Sequence, residues 1–201
     1  MNQVNKYKDY KKISIRNNNL MTKRQHGHFK DITIDFMKNA VPSLNYGAYS
    51  AKSITKNGHK FVVNSINKIN LKNHEKENAE WFLNLMGGKI IYLPDINTKD
   101  SVKMADYKYI PIKGKWYFLE NKEIILNEQQ LKAGINNIFH KIEESINQSN
   151  VFLIDVTNGK LTNKEIMERL DVVYRHPKLK NINKTLIVKK GYNLFGVFKE
   201  K

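Results

Sequence analysis

The spacing of hydrophobic residues predicts a helix over residues 73–86, the first well-defined element of the chain. At about 100° per residue one narrow stripe of this segment is apolar, and it contains Leu71, Ala79, Phe82 and Met86. Asn73 is a suitable N-cap, and Gly87 with Gly88 provides a stop signal. One acid, Glu75, falls in the middle of the apolar stripe. A carboxylate on a buried helix face costs free energy unless it is paired, protonated or bound to a cation.

Strand-like runs and two further helices follow. Apolar or alternating runs predict strands at 89–93, 102–110, 115–126, 151–156, 185–189 and 194–199. A long amphipathic helix is predicted to open at the pair Asn127 and Gln130, and its apolar stripe contains Leu131, Ile135, Ile138, Ile142 and Ile146. A capping box of Thr162 and Glu165 opens another helix over 163–174. This order predicts an α/β (α+β) fold with a mixed central β-sheet flanked by helices.

The first 56 residues differ in character from the rest. Residues 1–30 contain eight basic side chains against the single acid Asp9 and show little periodicity, which favours a loosely folded basic arm. A turn at Asn57-Gly58 and the run over 59–63 predict a small hairpin or edge strand. We therefore divide the chain into a basic N-terminal extension, linker or entry segment over residues 1–56 and a main domain over residues 57–201.

Charge points to a polyanionic partner. The chain has 35 Lys and Arg residues against 19 Asp and Glu residues, a net charge of +16. Such a field attracts nucleic acid, RNA in particular, although Lys- and Asn-rich composition is also typical of proteins from AT-rich genomes. The absence of cysteine excludes disulfides, thiolate metal sites and a cysteine nucleophile. No run approaches the roughly 18 apolar residues of a membrane span, and no apolar signal segment follows the basic N-terminus, so we expect a soluble chain. We also expect a monomer.

Acids and a lysine fall on two neighbouring predicted strands. Asp106 lies in the first strand, and Glu120 and Lys122 lie in the second. Because residues two apart share one face of a strand, Glu120 and Lys122 should project side by side while Asn121 points away. Together with Glu75 these residues provide three carboxylates and one lysine. The alternatives are a solvated hairpin for the strand residues and, for Glu75, a first-turn acid favoured by the helix dipole.

Three carboxylates of this kind suit a divalent metal. Hard oxygen ligands bind Mg²⁺ or Mn²⁺ rather than zinc, so Glu75, Asp106 and Glu120 are the candidate metal ligands. A metal held beside Lys122 can activate water and stabilise the charge that develops on a phosphoryl group. In a chain this basic, phosphodiester hydrolysis is the reaction that such a site suits best.

Several blocks of the sequence carry a family resemblance. Asp106, a gap and then Glu120-Asn121-Lys122, after a helix with an inward Glu, resembles the PD-(D/E)xK nuclease superfamily, although Ala105 stands where that motif has proline. The wider set of blocks comprises His74-Glu75-Lys76-Glu77-Asn78-Ala79, Gly87-Gly88-Lys89-Ile90, Leu93-Pro94, Ala105-Asp106-Tyr107, Glu120-Asn121-Lys122-Glu123-Ile124 and Gln148-Ser149-Asn150 followed by Phe152-Leu153-Ile154-Asp155. In order and spacing they are similar to the C-terminal tRNase toxin domain of contact-dependent growth inhibition proteins and its relatives in phage and mobile-element proteins. The similarity covers about residues 57–201.

The resemblance implies a function and a set of site residues. It implies a PD-(D/E)xK-like core and a secreted or delivered toxin that cleaves tRNA in the cytoplasm of a target cell and is neutralised by an acidic immunity protein. The family's catalytic positions fall on Glu75, Asp106, Glu120, Lys122 and Gln148. The segment between Lys122 and Gln148 is longer than in the family pattern. The lysines assigned to nucleic-acid contacts are Lys103, Lys108 and Lys141.

Two other functions fit the same sequence. One is a DNase of the same fold. The other is a non-catalytic nucleic-acid-binding protein, in which positive charge alone accounts for function and the acids are solvated. Glu75 on the apolar stripe argues against a pure binder, which has no use for a carboxylate there.

Overall fold

A mixed β-sheet of eight strands organises the protein. The structure is a computed structural model that describes residues 27–56, 59–62, 71–94, 104–127, 129–130 and 133–201. Its elements are β1 (Phe29–Asp31), α1 (Thr33–Met37), β2 (Asn45–Ser50), β3 (Ser53–Lys56), β4 (His59–Val62), α2 (Asn73–Met86), β5 (Gly88–Tyr92), β6 (Tyr107–Ile110), β7 (Tyr117–Glu123), α3 (Asn137–Glu143), β8 (Val151–Asp155), α4 (Asn163–Arg175), β9 (Thr185–Lys190) and β10 (Asn193–Glu200). Short 3-10 turns occupy Pro42–Leu44 and Thr157–Gly159.

The strand order is β1-β10-β9-β8-β7-β6-β5-β2. β2 pairs with β5 in parallel, whereas β5 with β6 and β6 with β7 pair antiparallel, which confirms the predicted mixed sheet. The predicted hairpin near residue 57 is confirmed by the antiparallel pair β3 and β4. The chain folds into two compact units: the first contains Lys122–Glu144 and Phe152–Lys201 with the described residues up to Lys38, and the second contains Asn39–Asn121 and Ser145–Val151.

Most of the predicted elements are present, but the long helix after residue 127 is wrong. Asn127 and Gln130 do form the predicted reciprocal cap, with backbone-to-side-chain hydrogen bonds of 3.1 and 2.8 Å. Gly134 then adopts a left-handed φ of 64°, which a continuous helix does not contain. Helix α3 begins at Asn137, where the Asn136 side chain accepts the Phe139 N–H at 3.0 Å. The helix is therefore a short one, and Ile135 lies outside it.

The predicted N-terminal extension contributes strands to the sheet. β1 pairs with β10, and β2 lies at the opposite end of the strand order beside β5. The described residues between 27 and 56 are therefore part of the fold. Most of the predicted basic arm, residues 1–26, lies outside the described residues. The functional division at residue 56 stays a prediction.

In the second unit, helix α2 packs against one face of β5 and β6. Phe82 of the helix packs edge-to-face on Tyr109, with 4.9 Å between the ring centres, and both side chains are buried. A polar contact lies in the same interface, because Asn78 Nδ2 donates to Asn121 Oδ1 at 3.0 Å. Asn121 therefore points toward the helix, away from the face of Glu120, as strand alternation predicts.

Helix α2 ends at Gly87 in a conformation that only glycine adopts easily. Gly87 has a φ of 74°, and its N–H donates to the Leu83 carbonyl at 2.7 Å. A Cβ at this position would lie 2.1 Å from the backbone oxygen of Val41. The clash involves backbone on both sides, so neither partner can move away cheaply.

We expect Gly87→Ala to lower the free energy of unfolding by roughly 2–4 kcal/mol, the sum of a left-handed backbone penalty and steric overpacking. The control is Gly114→Ala, because Gly114 also has a positive φ, 100°, but its added Cβ would meet no described residue other than its chain neighbours within 4 Å. Urea unfolding of both variants measures the difference. Equal losses would show that the close approach to Val41 does not contribute.

The first unit has its own core. Tyr174 of α4 stacks on Phe29 of β1 at 5.1 Å, and its hydroxyl donates to the Phe198 carbonyl of β10 at 2.6 Å. Burial raises the pKa of Tyr174 well above its ordinary value, so the hydroxyl remains a donor at neutral pH.

Within the described part of the chain, no helix has the length and apolar character that a membrane span requires.

Candidate functional site

Asp106 and Glu120 face one another across the β6–β7 pair. The register that places Tyr107 opposite Leu119 brings Asp106, one residue before β6, opposite Glu120. Two hydrogen bonds join them through the backbone: the Asp106 N–H donates to Glu120 Oε2 at 3.2 Å, and the Asn121 N–H donates to Asp106 Oδ2 at 2.8 Å. Each carboxylate is thus held by the strand that carries the other.

Gln148 completes the surroundings of Glu120. The Glu120 side chain is only 1% exposed, and a buried carboxylate needs donors. With its amide oriented to satisfy its neighbours, Gln148 Nε2 donates to Glu120 Oε1 at 2.8 Å, to Oε2 at 3.1 Å and to the Met104 carbonyl at 3.2 Å. The next residue fixes this loop, because Ser149 Oγ donates to the Phe118 carbonyl at 2.8 Å. The structure therefore brings together Asp106, Glu120 and Gln148.

Glu75 has a structural role at the start of helix α2. Lys72, rather than the predicted Asn73, holds the N-cap position, with φ −70° and ψ 153°. Glu75 Oε2 accepts the Lys72 N–H at 2.9 Å, and the Lys72 ammonium lies 3.9 Å from Oε1. The side chain is 13% exposed. This is the geometry of a first-turn acid, one of the two interpretations that the sequence left open, and the carboxylate accepts an N–H that has no partner within the helix; the catalytic role of Glu75 stays a prediction.

Tyr107 follows Asp106 directly in the chain and contacts the backbone of Glu75. The sequence predicted no role for it. Its buried hydroxyl donates to the Glu75 backbone carbonyl at 2.7 Å. Burial, followed by the negative charges of Asp106 and Glu75, raises the pKa of Tyr107 well above its ordinary value, and Glu120 adds to the effect. The hydroxyl therefore stays protonated and lies within the field of all three acids. Its position directly after Asp106 was the one feature of the sequence that could have indicated that Tyr107 lies near the acids.

The three-carboxylate metal site stays a prediction. Among the described residues, no three His, Asp or Glu side chains are grouped so that they could hold a metal ion. Asp106 and Glu120 form a two-carboxylate set, and Mg²⁺ is often bound by one or two carboxylates together with waters and substrate phosphates. Carboxylate oxygens are the ligands that Mg²⁺ prefers, and all three acids already accept hydrogen bonds: both oxygens of Glu120, Oδ2 of Asp106 and Oε2 of Glu75.

The predicted lysines lie in different parts of the chain. Lys122 follows two residues after Glu120 on β7 and is half-buried. Lys108 Nζ lies 4.0 Å from the ring centre of Trp116. Lys141 is exposed on α3, where its Nζ lies 3.8 Å from Glu144 Oε2. Lys103 lies outside the described residues.

Known proteins do not identify the chain. Comparison with protein-family models, curated proteins and solved structures gives no significant match.

Proposed function

We propose that this protein is a toxin endoribonuclease that cleaves tRNA by phosphodiester hydrolysis on a PD-(D/E)xK-like core. The observation that carries the proposal is the pair Asp106 and Glu120, fixed opposite each other and braced by Gln148, in a chain of net charge +16. Paired carboxylates on adjacent strands are suited to proton transfer and to hard cations. The resemblance to the tRNase domains of contact-dependent growth inhibition proteins supports tRNA as the substrate.

In this proposal each residue has a distinct role. Asp106, the less buried carboxylate of the pair, takes the proton from the attacking oxygen. Glu120, held by Gln148, positions Asp106 through its backbone N–H. Lys122 stabilises the charge that develops on the phosphoryl oxygens. In the metal-assisted form of the proposal, Asp106 and Glu120 would instead hold Mg²⁺ or Mn²⁺, which would lower the pKa of the attacking water and stabilise negative charge.

The biological setting of the proposal rests on the resemblance alone. A toxin of this kind is delivered into the cytoplasm of a target cell and meets an acidic immunity protein in the cell that produces it. The opposite charge of this chain is compatible with such a partner.

A non-catalytic nucleic-acid-binding protein is the second candidate, and one observation favours it. The sequence argued against it because Glu75 lay on an apolar stripe, but Glu75 caps helix α2 and so needs no catalytic explanation. A pure binder would retain tRNA with a steep salt dependence and release it uncleaved.

Incubation of the wild-type protein with total tRNA and with supercoiled plasmid, each with Mg²⁺ and with EDTA, separates the candidates. We expect discrete tRNA fragments on a denaturing gel and intact plasmid, with cleavage lost in EDTA. Plasmid cleavage alone would favour the DNase, and binding without cleavage of either would favour the binder. Full tRNA cleavage in EDTA would show that the reaction needs no divalent metal, and the acid–base role of Asp106 would still stand.

A further inference from the structure

One face of the second unit's sheet carries a row of side chains across four strands, exposed at its two ends, Tyr49 and Phe118, and half-buried in the middle. Cross-strand pairs join Tyr49 of β2 to Ile91 of β5, Ile91 to Lys108 of β6, and Lys108 to Phe118 of β7. Because residues directly opposite on adjacent strands share a face, these four side chains line up. We call this row, with Trp116 and Lys89 beside it, the exposed sheet face.

The two faces of these strands differ in burial. The alternate residues, which face helix α2, are buried, as Ile90, Tyr109 and Leu119 show. On the exposed sheet face, Tyr49 is 53% exposed and Trp116 is 51% exposed, and Phe118 is also exposed. Aromatic side chains that remain exposed as a group, rather than singly, mark an interaction site.

Lysines cover the aromatic rings of this face. Lys89 Nζ lies 4.6 Å from the ring centre of Tyr49, and Lys108 Nζ lies 4.0 Å from that of Trp116. Trp116 and Phe118 meet edge-to-face at 5.3 Å. The face therefore has aromatic rings at β2 and β7 with a lysine beside each, the combination that holds single-stranded nucleic acid by stacking bases and pairing phosphates.

The exposed sheet face leads to the acid pair. By strand alternation Asp106 shares the face of Lys108, and Glu120 shares the face of Phe118. Two residues along a strand correspond to roughly 7 Å. The acid pair therefore lies along β6 and β7, roughly 7 Å to one side of the row at Lys108 and Phe118.

From this geometry we propose that the exposed sheet face is a binding site for unpaired nucleotides of RNA, with bases stacked on Trp116, Phe118 and Tyr49 and phosphates paired with Lys89 and Lys108. This proposal identifies the part of the RNA substrate that binds to the protein, and it therefore rests on the proposed nuclease function. Duplex RNA does not expose its bases for stacking, so loops or single-stranded ends of the RNA are selected.

Binding of a fluorescent 2′-O-methyl oligoribonucleotide by the full chain, at one fixed salt concentration, tests the proposal without cleavage. We expect the single strand to bind more tightly than the same sequence as a duplex and to quench Trp116 fluorescence. Trp116→Ala and Phe118→Ala should each weaken single-strand binding by about 5- to 100-fold, the range expected on removing one stacking aromatic, with a smaller effect on the duplex. Tyr192→Ala, at an 84% exposed aromatic on the β9–β10 turn, is the control and should bind as the wild type does.

Equal affinity for single strand and duplex, or unchanged binding by both aromatic variants, would overturn the stacking site. Circular dichroism confirms that the variants are folded. Weakened binding by the aromatic variants in a protein that does not cleave tRNA would leave the stacking site standing and refute the nuclease. Cleavage of tRNA by the wild type, with unchanged binding by the two aromatic variants, would support the nuclease and refute the stacking site.

Discussion

Asp106→Asn is expected to cleave tRNA about 10²- to 10⁴-fold more slowly than the wild-type protein, the range that a positioned general base contributes. Asparagine retains a side-chain oxygen that can accept the Asn121 N–H, as Asp106 Oδ2 does at 2.8 Å. The substitution therefore removes the negative charge and the proton acceptor while keeping the local hydrogen bond. Initial rates of tRNA cleavage at matched protein concentration measure the loss.

The matched control is Asp35→Asn, which makes the same change of charge at an exposed helix position. Asp35 pairs with Lys38 at 2.6 Å, far along the chain from the acid pair, and its side chain is largely solvated. We expect it to cleave at the wild-type rate. If Asp106→Asn also cleaved at that rate, Asp106 would have no role in proton transfer or in metal binding.

Asp155→Ala is expected to lower the free energy of unfolding by about 3–5 kcal/mol, the cost of breaking a buried ion pair from one side. Lys189 Nζ lies 2.7 Å from Asp155 Oδ2, and the two side chains are only 10% and 8% exposed. Asp155 Oδ1 also accepts the Thr157 N–H at 2.9 Å, so the same substitution removes a hydrogen bond that stabilises the turn after β8. Urea unfolding followed by circular dichroism measures the change.

Glu143→Ala provides the comparison, because Glu143 pairs with Lys178 at the surface. Pairs at the surface contribute little to stability because water screens them, so this variant should unfold close to the wild type. The Lys178 ammonium lowers the pKa of Glu143, and the small contribution should fade as the pH falls and Glu143 takes up a proton. Similar losses in the two variants would show that burial does not strengthen the Asp155–Lys189 pair.

Local patterns predicted the elements well where a signal lies within a few residues. The helix over 73–86 and the capping box of Thr162 with Glu165 are both present, and the latter has the expected reciprocal bonds of 2.7 and 3.2 Å. The long helix after residue 127 was wrong because its apolar stripe outweighed Gly134, whose left-handed backbone separates the cap at Asn127 from helix α3. A hydrophobic period alone does not report where a helix is interrupted.

The site was partly predictable for the same reason. Alternation on β7 separated Glu120 from Asn121, and an antiparallel pair placed Asp106 near Glu120. The exposed sheet face was not predictable, since the row from Tyr49 to Phe118 depends on the register of a parallel partner, β2, that lies about 40 residues earlier than β5. Glu75 was ambiguous because a cap and a ligand require the same residue type at the same helix position.

The contact between Asn78 and Asn121 has a consequence for uniqueness of the fold. Its two amides are buried between α2 and β7, and Asn121 Nδ2 has no partner among the described atoms. A hydrophobic pair would tolerate rotation of the helix or slippage of the strand, whereas this hydrogen bond exists in one alignment only. Because Asn121 and Glu120 point to opposite faces of β7, the alignment that forms this hydrogen bond is also the one that turns Glu120 toward the Asp106 N–H.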